Sequence, residues 1–258
     1  MKSTRMPAVF VGHGSPMNAL EENACTRAWR GIGESVGVPK AILVISAHWY
    51  TNGTGVTAMA QPRTIHDFYG FPEPLFALRY PAPGATQLVA RVRDVLQPVN
   101  VMADQEWGLD HGAWSVLVHM YPDANVPVAQ ISIDATQPPE YHYQLGRGLA
   151  ALRDEGVLIL GSGNVVHNLQ RIRWGGEAAA WPWAVTFNDR IRDALVRGDQ
   201  QTVIDYAAAG EAAQLSVPTP EHYLPLLYVM GASAGDPVSF PTDGIEMGSI
   251  SMLSALYS

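Results

Sequence analysis

Apolar positions along the chain fall into short unbroken runs separated by longer stretches with helical spacing. Ala8–Val11, Ala41–Ile45, Val128–Ile133 and Val157–Leu160 are the runs that read as strands, and most lack any alternation with polar residues. Continuous apolar strands belong in sheets covered on both faces, which are typically parallel. Between them, Ala85–Leu96 sets Leu88, Val92 and then Val95 or Leu96 on one helical face, after an entry marked by Pro81–Pro83 and Gly84. Pro139–Glu155, Ala184–Arg197 and Ala113–Met120 read as further helices. Leu224–Gly231 predicts a short buried helix with Pro225 in its first turn, where a missing N–H costs little. Val56–Met59 and Val99–Met102 read as edge strands, and the alternating segment Val238–Tyr257 is expected to return to the sheet. Strands alternating with helices predict an α/β fold, here one domain over residues 1–258 with a mostly parallel central sheet flanked by helices. The stretch Gln61–Pro83 is a long loop rich in proline and aromatic residues, and long ordered loops in compact domains tend to serve function.

Composition narrows the class. Of 258 residues, 47% are hydrophobic and 16% charged, enough apolar material for a sizeable core. The net charge is −8 and the 16 Lys and Arg residues form no run, so nucleic acid and anionic lipid are not expected partners. No segment reaches the roughly 18 apolar residues of a membrane span, and Pro7–Val11 is too short for a signal-peptide core. The single cysteine, Cys25, makes neither an internal disulfide nor a thiolate zinc site. These features predict a soluble cytoplasmic protein, a monomer or small homo-oligomer.

The chemistry lies in the histidines. His13 stands in Gly-His-Gly-Ser-Pro, His48 in Ser-Ala-His-Trp, His167 in Gly-Asn-Val-Val-His-Asn and His222 in Pro-Glu-His-Tyr. The first two follow predicted strands closely and His167 follows Val157–Leu160 by a glycine-containing turn, so three of the four open onto one edge of the sheet, where α/β proteins bind ligands. Imidazole from distant segments suits a transition metal, although any one of these residues taken alone also fits a histidine satisfied by backbone hydrogen bonds. His111, in Leu-Asp-His-Gly-Ala-Trp, has an acidic neighbour and suits a pocket or a structural role, while His66 sits in the aromatic loop and could line a cleft. His119 and His142 fall in helical stretches and read as structural. No phosphate loop, complete dinucleotide fingerprint or G-x-S-x-G elbow is present.

Taken in order, Gly12–Pro16, Ser46–Trp49, Ile65–Phe68, Asp110–Gly112, Gly163–Asn168 and Pro220–Tyr223 resemble the motifs of the class III extradiol ring-cleaving dioxygenases, in the DOPA 4,5-dioxygenase branch. The resemblance implies one α/β domain with a mononuclear metal at the carboxyl edge of its strands. It implies His13 and His48 as ligands, His222 as the third, and His167 as either a fourth ligand or an acid/base group. It implies Fe²⁺ for turnover, a catechol and O₂ as small-molecule reactants, and opening of L-DOPA between carbons 4 and 5 to a seco-product that cyclises towards betalamic acid. At the C-terminal ligand position a histidine replaces the carboxylate of the usual 2-His-1-carboxylate triad, with Glu221 adjacent. Four histidines would also suit zinc. For proton transfer the expected catalytic residues are His167 first and His111 second. Trp49, His66, Phe68 and Tyr223 are the expected substrate contacts, joined by Tyr69, Phe71 and Trp114 as candidate aromatic walls. A zinc hydrolase on the same histidines and a non-enzymatic binding member of the fold are the alternatives.

Overall fold

A computed structural model describes residues 5–175, 179–233 and 235–258. In chain order its elements are β1 (Ala8–Gly12), α1 (Ala24–Val36), β2 (Ala41–Thr51), β3 (Thr54–Thr57), α2 (Glu73–Ala77), α3 (Thr86–Val95), β4 (Val101–Asp104) and α4 (His111–Met120). The order continues with β5 (Val128–Asp134), α5 (Pro139–Asp154), β6 (Val157–Gly163), α6 (Pro182–Arg197), α7 (Gln200–Ile204), α8 (Glu211–Ser216) and α9 (Leu224–Ala232). The chain closes with β7 (Val238–Thr242), β8 (Ile245–Glu246), β9 (Ile250–Ser251) and β10 (Ser254–Tyr257).

Eight strands form one sheet in the order β4-β3-β5-β2-β6-β1-β10-β7. The central four, β5, β2, β6 and β1, are mutually parallel, so their carboxyl ends share one edge. Antiparallel pairings flank this block, β3 against β5 on one side and β10 and β7 on the other. The apolar runs bury both faces as expected. Phe10, Leu43 and Ile159 enter the core shared with α3, α5, α6 and α9, while Val9, Ile42 and Leu158 enter the core shared with α1 and α4.

Several elements depart from the sequence reading. β2 runs to Thr51, so His48 lies inside a strand rather than beyond one, and its pairing with β5 shifts register between Ile45 and Tyr50. β6 likewise continues through Gly161 to Gly163, so no glycine turn separates it from the following segment until after Gly163. Of the two strands expected at an edge, β3 pairs on both sides and β4 alone lies at one, with β7 forming the opposite edge of the sheet. α1, missing from the periodicity reading, is set by a capping box in which Asn23 and Thr26 exchange side-chain-to-backbone hydrogen bonds. The C-terminal segment returns to the sheet as predicted, through β7 and β10. Among the described residues, no helix is long and apolar enough to cross a membrane.

Candidate metal centre

The site forms where the two helical layers meet the carboxyl edge of β1, β2 and β6. His13 follows β1 directly, and its backbone N–H donates to the Gly163 carbonyl at 3.1 Å. His222 arrives from the loop before α9, its carbonyl accepting from Asn164 N at 2.8 Å. A Cβ on Gly163 would fall 2.1 Å from that carbonyl, so only glycine lets the His222 segment lie against β6. Gly112 plays the matching part in the other layer: a Cβ there would meet Ser46 Oγ at 2.5 Å and the His48 ring at 2.8 Å.

Donor atoms of His13, His48 and His222 lie within 4.8 Å of one another. His13 Nε2 and His48 Nε2 face each other at 3.2 Å. On the far side of the His13 ring, Nδ1 lies 3.1 Å from Ser162 Oγ, and Ser162 gives its own proton to the Gly112 carbonyl at 2.5 Å. Ser162 must therefore accept, which puts the His13 proton on Nδ1. Asp67 Oδ2 stands 3.2 Å from His48 Nδ1, and Glu221 Oε1 accepts from His222 Nδ1 at 3.2 Å. Hydrogen bonds hold the Nδ1 proton on His13 and His222 and leave Nε2 as a lone pair there, and the Asp67 carboxylate beside His48 Nδ1 draws the proton of that ring to the same side. Two imidazole nitrogens sharing a tetrahedral zinc at 2.0–2.1 Å would sit roughly 3.3 Å apart. Lone pairs facing at that separation repel unless a cation lies between them, so the donor set fits a mononuclear metal.

Burial and neighbouring histidine charge act together on these rings. Burial, reinforced by His48, His222, His111 and His167, holds His13 well below the ordinary histidine range. Burial and then His167, His48 and His111 do the same for His222. Burial and His111 lower His48 to about 3 against the opposing pull of Asp67. Neutral rings are the form that binds metal.

The four histidines do not make one donor set. His167 instead stacks on His222, with ring centres 3.5 Å apart and planes 7° from parallel, and it shares a separate donor group with Glu221 and His222. Its backbone N–H donates to the Ser216 carbonyl at 2.8 Å. Burial lowers its pKa to about 4, with Glu221 opposing and His111 assisting. His111 opens α4 directly after the cap residue Asp110, its ring 3.9 Å from that of His48 and its Nδ1 3.0 Å from Asp67 Oδ2.

The long loop delivers Asp67 and Phe68. Ile65 N donates to the Leu109 carbonyl, and Trp114 Nε1 to the Ile65 carbonyl, pinning the loop beside the start of α4. Asp67 Oδ1 then accepts the His111 backbone N–H at 2.9 Å. Burial alone would raise the Asp67 pKa, but the His111 side chain and backbone N–H in contact with the carboxylate hold it low, at about 2. Phe68 meets His111 edge-on at 5.5 Å, with Phe71 and Phe76 behind it. His66 lies in the same aromatic cluster, 5.7 Å from Phe68, but its Nε2 is turned to the Leu78 carbonyl at 3.1 Å.

Other expected ring contacts go elsewhere. Tyr223 is fully buried with its hydroxyl on the Val203 carbonyl and its ring against Tyr206 and Phe187, because the residue after His222 turns into the α6–α9 core. Trp49 is buried and stacked on Trp107 at 5.7 Å. Tyr69 is 92% exposed and Trp114 belongs to the core. His119 donates to or accepts from nothing in the site; its Nε2 lies 2.8 Å from the Asn18 carbonyl. His142 pairs with Tyr228 in the core. Asp67, Ser162 and Gly112 escaped the sequence reading as site residues. The one signal for Asp67 was its place in Ile-His-Asp-Phe, where attention falls on the histidine.

An α/β sheet carrying a histidine donor set at the carboxyl edge of its parallel strands is an arrangement able to hold a transition metal. The chain belongs to the family of the catalytic LigB subunit of aromatic ring-opening dioxygenase, which it matches over residues 7–257. An Escherichia coli K12 relative named 4,5-DOPA dioxygenase extradiol is 54% identical, covering 98% of this chain and 95% of its own. A Beta vulgaris protein of the same name is 40% identical over 87% of this chain and 85% of its own. A crystal structure of an uncharacterized E. coli K12 protein superposes with a TM-score of 0.86 at 48% identity, covering 98% of this chain and all of that one.

Proposed function

We propose that this protein is a mononuclear-metal extradiol dioxygenase that opens a catechol ring, with L-DOPA cleaved between carbons 4 and 5, and that it works in the cytoplasm. The observation that carries the reading is that His13 Nε2 and His48 Nε2 face each other at 3.2 Å, with Ser162 behind the first ring and the Asp67 carboxylate behind the second. In this reading His13, His48 and His222 hold the metal. A bound Fe²⁺ supplies chelation of the two catechol oxygens and electron transfer towards O₂. The chain supplies the rest. His167, its ring stacked on that of the ligand His222 and kept neutral by burial, is the group placed to take a catechol proton. His111, fixed by Asp67, is the second group within reach of that chemistry. Phe68 presents its ring next to His111 and forms an apolar wall suited to an aromatic substrate.

The test is anaerobic reconstitution with Fe²⁺, followed by air and a panel of catechols that includes L-DOPA. Oxygen uptake with a yellow ring-fission product is expected, and its absence with every catechol overturns the reading. A three-histidine set also suits hydrolytic zinc, which keeps one position open. Hydrolysis that proceeds equally well without oxygen would identify that chemistry instead.

A further inference from the structure

We infer that Asp67 and Glu221 are positioning residues that together supply, from behind the ligand rings, the negative charge that a histidine-only donor set lacks. The inference rests on the metal reading above. A 2-His-1-carboxylate set places one negative charge directly on the metal. Among the described residues, the set formed by His13, His48 and His222 contains no carboxylate. Two of its three rings nevertheless carry one on the opposite nitrogen: Asp67 Oδ2 lies 3.2 Å from His48 Nδ1, and Glu221 Oε1 lies 3.2 Å from His222 Nδ1. The two nitrogens of an imidazole point away from each other. A carboxylate on Nδ1 therefore cannot reach a cation on Nε2, but it polarises the ring and makes Nε2 a stronger donor.

Both carboxylates are anchored for this task. Asp67 Oδ1 accepts the His111 backbone N–H at 2.9 Å in the first turn of the ten-residue α4, where the helix dipole favours an anion. Glu221 Oε1 also accepts from Thr219 Oγ1 at 2.8 Å. Neither side chain is spent on a lysine or arginine among the ion pairs of the described residues; their ion-pair partners there are histidines. Asp67 further touches His111, so one carboxylate sets the angle between a ligand ring and the ring packed 3.9 Å from it.

The experiment is a Zn²⁺ competition titration against a chromophoric chelator, on metal-stripped wild type, Asp67→Asn, Glu221→Gln and the double variant, with melting temperatures recorded without metal. Asparagine and glutamine keep an oxygen for the His111 and Thr219 donors while removing the charge. Each single change is expected to weaken zinc binding about 10- to 100-fold, with the double weaker still and the metal-free melting temperatures close to wild type. Wild-type affinity in both single variants overturns the inference and leaves the metal reading standing. Metal-free melting temperatures that fall along with affinity also overturn it, because general loss of packing then accounts for both. A wild type that binds no zinc, or a His13→Ala variant that binds it equally well, overturns the metal reading itself.

Discussion

At the scale of single residues, the site depends on a few side chains with unequal parts and on two glycines that make room for them. His13→Ala and His48→Ala each remove a nitrogen of the facing pair, and both are expected to purify without bound metal. His167→Ala removes a ring stacked on His222 rather than a member of the three-residue set, so metal analysis should find part of the metal retained. Equal loss in all three variants would place His167 among the ligands. Gly163→Ala drives a Cβ to 2.1 Å from the His222 carbonyl. Overpacking of backbone against backbone costs about 1–3 kcal/mol, and here the relief of strain moves a ligand. Urea denaturation should register the lost stability and metal analysis the lost ligand; unchanged metal content would show that the His222 segment is not held by this contact.

At the scale of elements, α4 is the part that joins the sheet to the site. Its cap residue Asp110 is fully buried and accepts from Ser46 Oγ at 2.6 Å, Gln130 Nε2 at 2.7 Å and Ala113 N at 3.2 Å, tying the helix start to β2 and β5. Burial and the charge of Asp67 raise its pKa against the hydrogen bonds from Gln130 and Ser46. Asp110→Ala removes a cap and leaves buried donors without an acceptor, so a loss of about 2–4 kcal/mol is expected, more than the ~1 kcal/mol of an ordinary cap. Chemical denaturation checks this, and a loss no larger than an ordinary cap would mean that Gln130 and Ser46 find other partners. The sequence shows Asp110 only as an acidic neighbour of His111. Its role as a hub depends on Ser46 and Gln130, which lie 64 and 20 positions away along the chain.

At the scale of the whole molecule, buried neutral histidines make the metal-free fold sensitive to acid. Burial holds His142 at about 4 in the core and His167 at about 4 at the site. An unfolded chain would titrate these residues near 6.5. Below about pH 6.5 the unfolded chain therefore takes up protons that the folded one refuses, and the folded state loses stability progressively as the pH falls towards 4. Melting temperatures of the metal-free protein at steps from pH 7 to 4 should decline through that window, and a flat profile would contradict the burial of these rings.

The sequence by itself determined the parallel core of the sheet, because unbroken apolar runs such as Ala41–Ile45 are stable only when both faces are covered. It also placed His13 and His48 at one edge of the sheet, since both lie close to the carboxyl ends of strands that run parallel. Tertiary structure alone decided how those histidines are oriented. That Tyr223 turns inward while His222 faces the site, that His167 stands beside the donor set instead of within it, and that Asp67 backs His48 all depend on elements crossing in space. Local preference records which segments form and where they end; hydrogen-bond partners at about 3 Å are chosen only when distant segments pack.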